Sequence, residues 1–459
     1  MATSPPAASP APRPRLALEV ALAVSVAVAF ADSSIVVLAL PELYVDFQTS
    51  IPGISWVVTA YNVAVVAASV ALLPLLRRVR PAWLALAGLL VFLASSVVCA
   101  AADSLETLIG GRVAQGIGAA LVLGASLPLF MAIGDRRERA IGIWIAAGTL
   151  GTAVGPALGG ILTEAFDWRA IFAVQAPLAA AAIVAALHPA SRRLAPPVER
   201  GRAPLGSALA LVFTYAALVG ALFLAVLLVV TVWDYGPLAG AGIVSALPLA
   251  ALCARPLSAR LSGIADIVGG SALLAAGLAA LALLPASDPA YAVPALALAG
   301  VGLGLALPPL TRASLAREGD LTRSGTTSVG VRHLGLVMGL IAVAPLLASE
   351  LDDAEETATL NATAVVLDAP LSLTTKVPIT LDLYREFQRV PEGEIPDLAA
   401  PFEENGAADD ENVAAARDSL LESVQAVLTR AFRSSFLLSA LFAVLAGITG
   451  LVFGRRAAV

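Results

Sequence analysis

The feature that most limits what this chain can become is a succession of apolar runs, each long enough to cross a bilayer. They read at about 16–40, 54–76, 82–102, 108–133, 140–162 and 170–187, then at about 207–232, 238–257, 267–285, 290–310, 324–348 and 431–453. A hydrocarbon core about 30 Å thick takes about 20 apolar residues as helix, and in lipid each backbone group must be paired within its own segment. The runs therefore predict an all-α polytopic membrane protein of about twelve transmembrane helices. Composition agrees, with 59% hydrophobic and 14% charged residues against about 25% charged in soluble domains. Cys99 and Cys253 both fall in apolar runs, so neither a disulfide framework nor a metal cluster is expected. No phosphate-binding Gly-rich loop is present, which argues against an ATP-driven pump or an enzyme; no cofactor and no nucleic-acid partner are expected.

The first run carries Glu19 near its start and Asp32 towards its far end. Arg13 and Arg15 precede it, and Ala29-Phe30-Ala31 has the form of a signal-peptide cleavage site. Glu19 interrupts the apolar stretch, however, and the run continues to Pro41, so the segment is expected to remain as the first span. The Pro- and Ala-rich residues 1–15 are expected to form a disordered tail.

Arginines fix the orientation. Of the 28 Lys and Arg, 19 lie on one side of this topology: Arg13 and Arg15; Arg77, Arg78 and Arg80; Arg136, Arg137 and Arg139; Arg192, Arg193, Arg200 and Arg202; Arg255 and Arg260; Arg312, Arg317 and Arg323; Arg455 and Arg456. The short loops on the other side are acidic, with Arg169 the exception. The positive-inside rule then places both termini in the cytoplasm of a cell whose plasma membrane holds the protein.

The linker at 189–206 divides the chain into a bundle at 16–188 and a second six-helix bundle, of which 207–348 supplies five helices and 431–459 the last. Two echoes cross the divide. PLLRR from Pro74 matches PLSAR from Pro256, and QGIG from Gln115 matches AGVG from Ala299. Both fall at equivalent places in each half, which predicts a parallel repeat with a cavity between the halves near mid-membrane. Between the last two spans, residues 349–430 carry 18 acidic and five basic residues, a local charge of −13 against −6 for the whole chain, so the remainder carries +7. This stretch is expected to be a long extracytoplasmic insertion, partly helical. Leu383, Tyr384, Phe387 and Val390 share one helical face, as do Val413, Leu420, Leu421, Val424, Val427 and Leu428, and Asp409, Asp410 and Glu411 suit the second helix's N-terminus. A protein partner docking there and a monomeric transporter are the expectations.

Asp32 is the first suspect for chemistry. A charged carboxylate at that depth costs a few kcal/mol, so intramembrane acids mark proton or ion paths. The plain alternative is a carboxylate that bonds Ser33, Ser34 or backbone and holds helix ends together. Arg112 and Gln115, three apart, share a face of the fourth helix, and Gly116 and Gly118 allow another backbone to approach. In the fifth, Gly151, Gly155 and Gly159 recur every four residues as a smooth packing face, Gly160 follows, and Pro156 removes a hydrogen bond.

Several strings resemble the drug:proton antiporter branches of the major facilitator superfamily. ADSSIVVLALP from Ala31 and WVVTAYN from Trp56 resemble that group's first two helices. GRVAQGIGAA from Gly111 resembles its Arg-x-x-Gln-Gly motif, and GTLGTAVGPALGG from Gly148 matches the antiporter motif Gly-x-x-x-Gly-Pro-x-x-Gly-Gly from Gly151 onward. VRHLGLVMG from Val331 is similar to its Arg-Gln-Leu-Gly pattern, with His333 in place of glutamine. One motif is altered: between helices two and three, Arg77 stands where the family has an acid, and the second-half copy lacks that acid at Gly263.

The resemblance implies proton-coupled export of a small apolar or amphipathic compound by alternating access. Asp32 and Arg112 would couple protons, and Gln115, Arg332, His333, Tyr61 and Asn62 are cavity or coupling candidates. Gly151, Gly155, Pro156, Gly159 and Gly160 would form a hinge or seal between the halves. His333 either titrates or bonds a carbonyl in a packed interface, the second being expected. The substrate class remains open between a small molecule and a membrane lipid moved outward along an extended external hairpin. A transport-inactive membrane sensor is the remaining alternative.

Overall fold

A computed structural model of the chain describes residues 13–134, 136–194, 205–258, 263–315, 321–389, 398–407 and 410–454. The tail at 1–12, most of the inter-half linker with Arg200 and Arg202, Arg260, Arg317, Val390, Asp409, Arg455 and Arg456 lie outside the described residues. Among the described residues, twelve helices are long and apolar enough to cross a membrane.

The first half holds α1 (Arg13–Ile35), α2 (Ile51–Leu75), α3 (Pro81–Ala100), α4 (Leu105–Ile133), α5 (Arg137–Ala165) and α6 (Arg169–Leu187). Its starts are legible locally. Ser50 and Ser104 cap α2 and α4 by accepting from the amides of Gly53 and Thr107, which supplies a partner for donors that a helix start leaves unpaired. Beyond Ile35, α1 tightens into a 3₁₀ turn at Val36–Ala39 before Leu40–Phe47 resumes as α-helix with Pro41 in its first turn. The second half holds α7 (Leu205–Val226), α8 (the span Pro237–Ser258), α9 (Gly263–Ala282), α10 (Pro289–Ser314) and α11 (Leu321–Asp368), then α12 (Leu373–Arg389), α13 (Glu411–Ala431) and α14 (Arg433–Gly454).

The same packing scheme occurs in both halves. In the first, α1 packs on α5, α2 on α4, α3 on α4 and α3 on α6; in the second, α7 packs on α11, α8 on α10, α9 on α10 and α9 on α14. The QGIG and AGVG echo does the same work twice. A Cβ on Gly116 would meet Tyr61 and Ala64 of α2, and one on Gly118 would meet Gly88 and Phe92 of α3. Correspondingly, Gly300 faces Leu247 and Ala250 of α8, and Gly302 faces Gly270 and Leu274 of α9. Lipid tails are as apolar as leucine, so close backbone contact replaces the hydrophobic effect as the source of helix association. The halves meet through α2 and α4 against α11, and through α5 against α8.

The acidic stretch does not stand apart as a separate insert between the last two spans. Its beginning is the continuation of α11, whose 48 residues would measure about 70 Å at about 1.5 Å per residue. Its end is α13, which packs along α11 and turns at Phe432 into α14. Val413, Leu420, Val424, Val427 and Leu428 are buried and Leu421 is partly so, because α11 covers the stripe that a single rod would leave in water. Leu383 of α12 is buried, whereas Tyr384 is 60% exposed and so does not belong to the packed face expected of it; the side chain of Phe387 lies outside the described residues. Asp410 caps α13 by accepting from the Asn412 amide.

Candidate functional site

Asp32 sits one turn before α1 changes geometry, and its side chain points into the first half rather than towards solvent: its exposure is 0%, as is that of Arg112. The two form an ion pair between Asp32 Oδ2 and Arg112 Nη1. Every other group around them is also engaged. Gln175 of α6 donates its Nε2 to Asp32 Oδ1 at 2.8 Å. Arg112 donates Nε to the Val57 carbonyl at 2.9 Å and Nη1 to Gln115 Oε1 at 2.7 Å. Gln115 Nε2 in turn donates to Gln175 Oε1 at 2.7 Å and to Ser96 Oγ at 2.9 Å. The guanidinium lies 4.4 Å from the centre of the Tyr61 ring, and the Tyr61 hydroxyl donates to the Ala29 carbonyl at 2.7 Å.

This network ties α1, α2, α3, α4 and α6 together around a single charge pair. Taking two charges out of water costs several kcal/mol each, and their attraction offsets that only when the remaining donors and acceptors are satisfied. Here they are. Gln175 carries no motif, and sequence reasoning passed over it, although it is the one polar side chain in the apolar run 170–187 and buried amides in a span demand partners.

A second polar chain crosses between the halves. His333 Nδ1 lies 2.6 Å from Asn62 Oδ1, which also accepts from Ser33 Oγ at 3.1 Å. Asn62 Nδ2 donates to the Val58 carbonyl at 2.7 Å, which fixes the orientation of the amide. Since Oδ1 can only accept, His333 must donate from Nδ1. His333 thus bonds a carbonyl of the packed interface, the side-chain amide oxygen of Asn62 in the opposite half. Its ring stacks on Phe30 and meets Tyr61 edge-on. Arg332, beside it, reaches across to α5, donating Nη2 to Thr152 Oγ1 at 2.6 Å.

The antiporter-like glycines divide their work. Cβ atoms on Gly151, Gly155 and Gly159 would run into Ala27, Ser34 and Ile35 of α1, all in the same half. Gly160, by contrast, faces the Pro237 carbonyl and Ala241 of α8 across the divide. The face with period four is therefore a packing seam inside the first half, and the contact between halves belongs to Gly160. Pro156 is buried within α5, which continues through it.

Between the halves lies a cavity of about 70 Å³, room for about five waters. Phe30, Trp144, Thr152, Tyr215, Arg255 and Arg332 are among its lining residues. It occupies the part of the bundle nearer the arginine-bearing loops, while at the other end Gly160 and Ala241 close α5 on α8. Asp32 does not line it; Phe30, two residues away, does. From cavity-lining Phe30 a run of ring contacts leads through His333 to Tyr61, over which the Arg112 guanidinium lies.

Residues 22–348 match the model of the Major Facilitator Superfamily. The methylenomycin A resistance protein of Bacillus subtilis (strain 168) is 35% identical over 164 residues, which are 35% of this chain and 35% of that protein. The multidrug resistance protein Stp of Mycobacterium tuberculosis (strain ATCC 25618 / H37Rv) is 39% identical over 157 residues, 32% of this chain and 28% of Stp. The riboflavin transporter RibZ of Clostridioides difficile (strain 630) is 32% identical over 154 residues, 33% of this chain and 34% of RibZ. The chain thus spans about a third of the length of the curated relatives it matches. A bacterial homologue of the human lysosomal transporter Spinster, solved inward-facing and occupied, aligns with TM-score 0.66 at 16% identity over 97% of this chain and 98% of that one. At that identity the likeness concerns the fold alone. With the family match covering most of the twelve-span body, this chain belongs to the Major Facilitator Superfamily, whose members are transporters and not enzymes.

Proposed function

We propose that the protein exports a small amphipathic or apolar compound in exchange for protons, by alternating exposure of the cavity between the two halves. The observation that carries this reading is the buried Asp32–Arg112 pair, two residues along α1 from cavity-lining Phe30. Proton binding would neutralise Asp32 and release Arg112 from its partner, and the network of five helices would then rearrange; this is how one proton could bias the rocking of two rigid halves. The cavity position also suits a state open towards the arginine-bearing side, which by the positive-inside rule is the cytoplasm. Residues 349–368 and 411–430, the paired extensions of the last two spans, would then lie outside the cell membrane.

The test is uptake into inverted vesicles over a panel of dyes, drugs and lipids. At least one amphipathic member should accumulate when a proton gradient is imposed and cease to do so when a protonophore collapses it. Accumulation indifferent to the protonophore, or none for any member, would contradict the proposal.

A further inference from the structure

Arg332 presents a charge that the first-half network does not balance. It is 8% exposed, its guanidinium lies 4.1 Å from the Phe30 ring centre and 4.9 Å from that of Tyr215, and Nη2 is held by Thr152. Its Nε is buried with no hydrogen-bond partner among the described residues. Asp32 does not serve it: its carboxylate is bonded by Arg112 and Gln175, and among the described residues Arg332 makes its side-chain hydrogen bond to Thr152. The second cation in the cavity wall is Arg255, with Arg312 close enough to add like charge, and among the described residues no aspartate or glutamate lines the cavity. Stacking on the Phe30 and Tyr215 rings and one hydrogen bond to Thr152 return less than burying a cation without a counter-charge costs.

We propose that the cavity takes an amphipathic monoanion: a carboxylate, sulfonate or phosphate head seated on Arg332, with an apolar body among Leu211, Leu218, Leu222 and Leu303. The Nε–H and an Nη–H of one guanidinium form a fork that matches two oxygens of such a head, and Nε–H, buried and without a partner among the described residues, is one prong of it. Arg255 adds long-range attraction at the cavity's outer part. The inference rests on the reading of this cavity as the cargo site, and it narrows the cargo by charge: cationic compounds of the same size are disfavoured, since each would meet two arginines and no acid.

The probes are three molecules that share one ring system: 2-naphthoate, 2-naphthalenemethanol and 2-naphthylmethylammonium. Binding to the full-length protein in phosphatidylcholine nanodiscs at pH 7 is measured by titration calorimetry, with empty nanodiscs as the blank. The wild type should bind the anion at least roughly tenfold more tightly than the cation, the alcohol falling between. R332Q should remove most of that advantage and leave the alcohol within about twofold. Cation binding equal to or tighter than anion binding in the wild type would overturn the proposal without any variant, as would an unchanged order in R332Q. A further arm replaces part of the phosphatidylcholine by phosphatidylglycerol. Loss of naphthoate binding would identify an anionic lipid head as the occupant, and no change would identify a free small anion; both support an anionic cargo. The measurement is at equilibrium with no gradient, so its outcome is independent of whether Asp32 carries protons.

Discussion

Arg112→Ala should destabilise the protein by about 3–5 kcal/mol, the cost of leaving a buried partner charge without compensation. The substitution strands the Asp32 carboxylate with only Gln175, and it also frees the Val57 carbonyl and Gln115 Oε1 from the donors that now satisfy them. Thermal melting of purified protein reads the effect. The informative comparison is the double variant with Asp32→Asn, which removes the stranded charge and keeps its shape. That double variant should melt well above Arg112→Ala alone. If the two melt together, the pair is not coupled in the way the geometry states.

The second large effect separates two roles within one glycine-rich helix. Gly155→Leu places a branched side chain against Ser34 and the amide of Ile35, 3.1 Å from where even a Cβ would stand. Backbone cannot move aside as a flexible side chain does, so the cost exceeds the roughly 1–3 kcal/mol of ordinary overpacking, and the first half should fail to assemble. Gly160→Leu strikes a different surface. It pushes on the Pro237 carbonyl, 2.6 Å from the Cβ position, and on Ala241, so each half should fold while the closure of α5 on α8 is lost. Expression and melting should therefore collapse for Gly155→Leu and survive for Gly160→Leu, with transport absent in both. Normal transport by Gly160→Leu would remove the seal from that end of the molecule.

Much of this architecture was legible because membrane physics leaves little choice. Runs of about 20 apolar residues must be helices, and the glycine echo at Gln115 and Ala299 marked the positions where helices of the two halves approach their neighbours in the same way. Asp32 and Arg112 stood out as charges inside apolar runs, and the structure joins them, since burying either alone is expensive. What the sequence could not disclose were choices among equally suitable neighbours. Gly151, Gly155 and Gly159 announce a smooth face but not whether α1 or α8 lies on it. His333 needs a partner, and nothing in the chain says that Asn62, 271 residues away, supplies it. Gln175 went unnoticed because a single amide in an alanine-rich span belongs to no pattern. The acidic stretch showed a helical stripe, yet Tyr384 lies outside the buried face, since the periodicity locates a stripe only to within about a residue and packing decides its edges.

The central claim is that Asp32 carries the proton exchanged for cargo, and the most direct measurement is proton movement itself. The protein is reconstituted in liposomes with a trapped pH dye, and a gradient of a compound exported in the vesicle panel is imposed. In the wild type, cargo flow in one direction should drive protons in the other and the dye should report a sustained pH change. In Asp32→Asn the titrating group is gone and the shape remains, so cargo should still exchange down its own gradient while the dye stays silent. A pH change of wild-type size in Asp32→Asn would contradict the account and place the proton elsewhere.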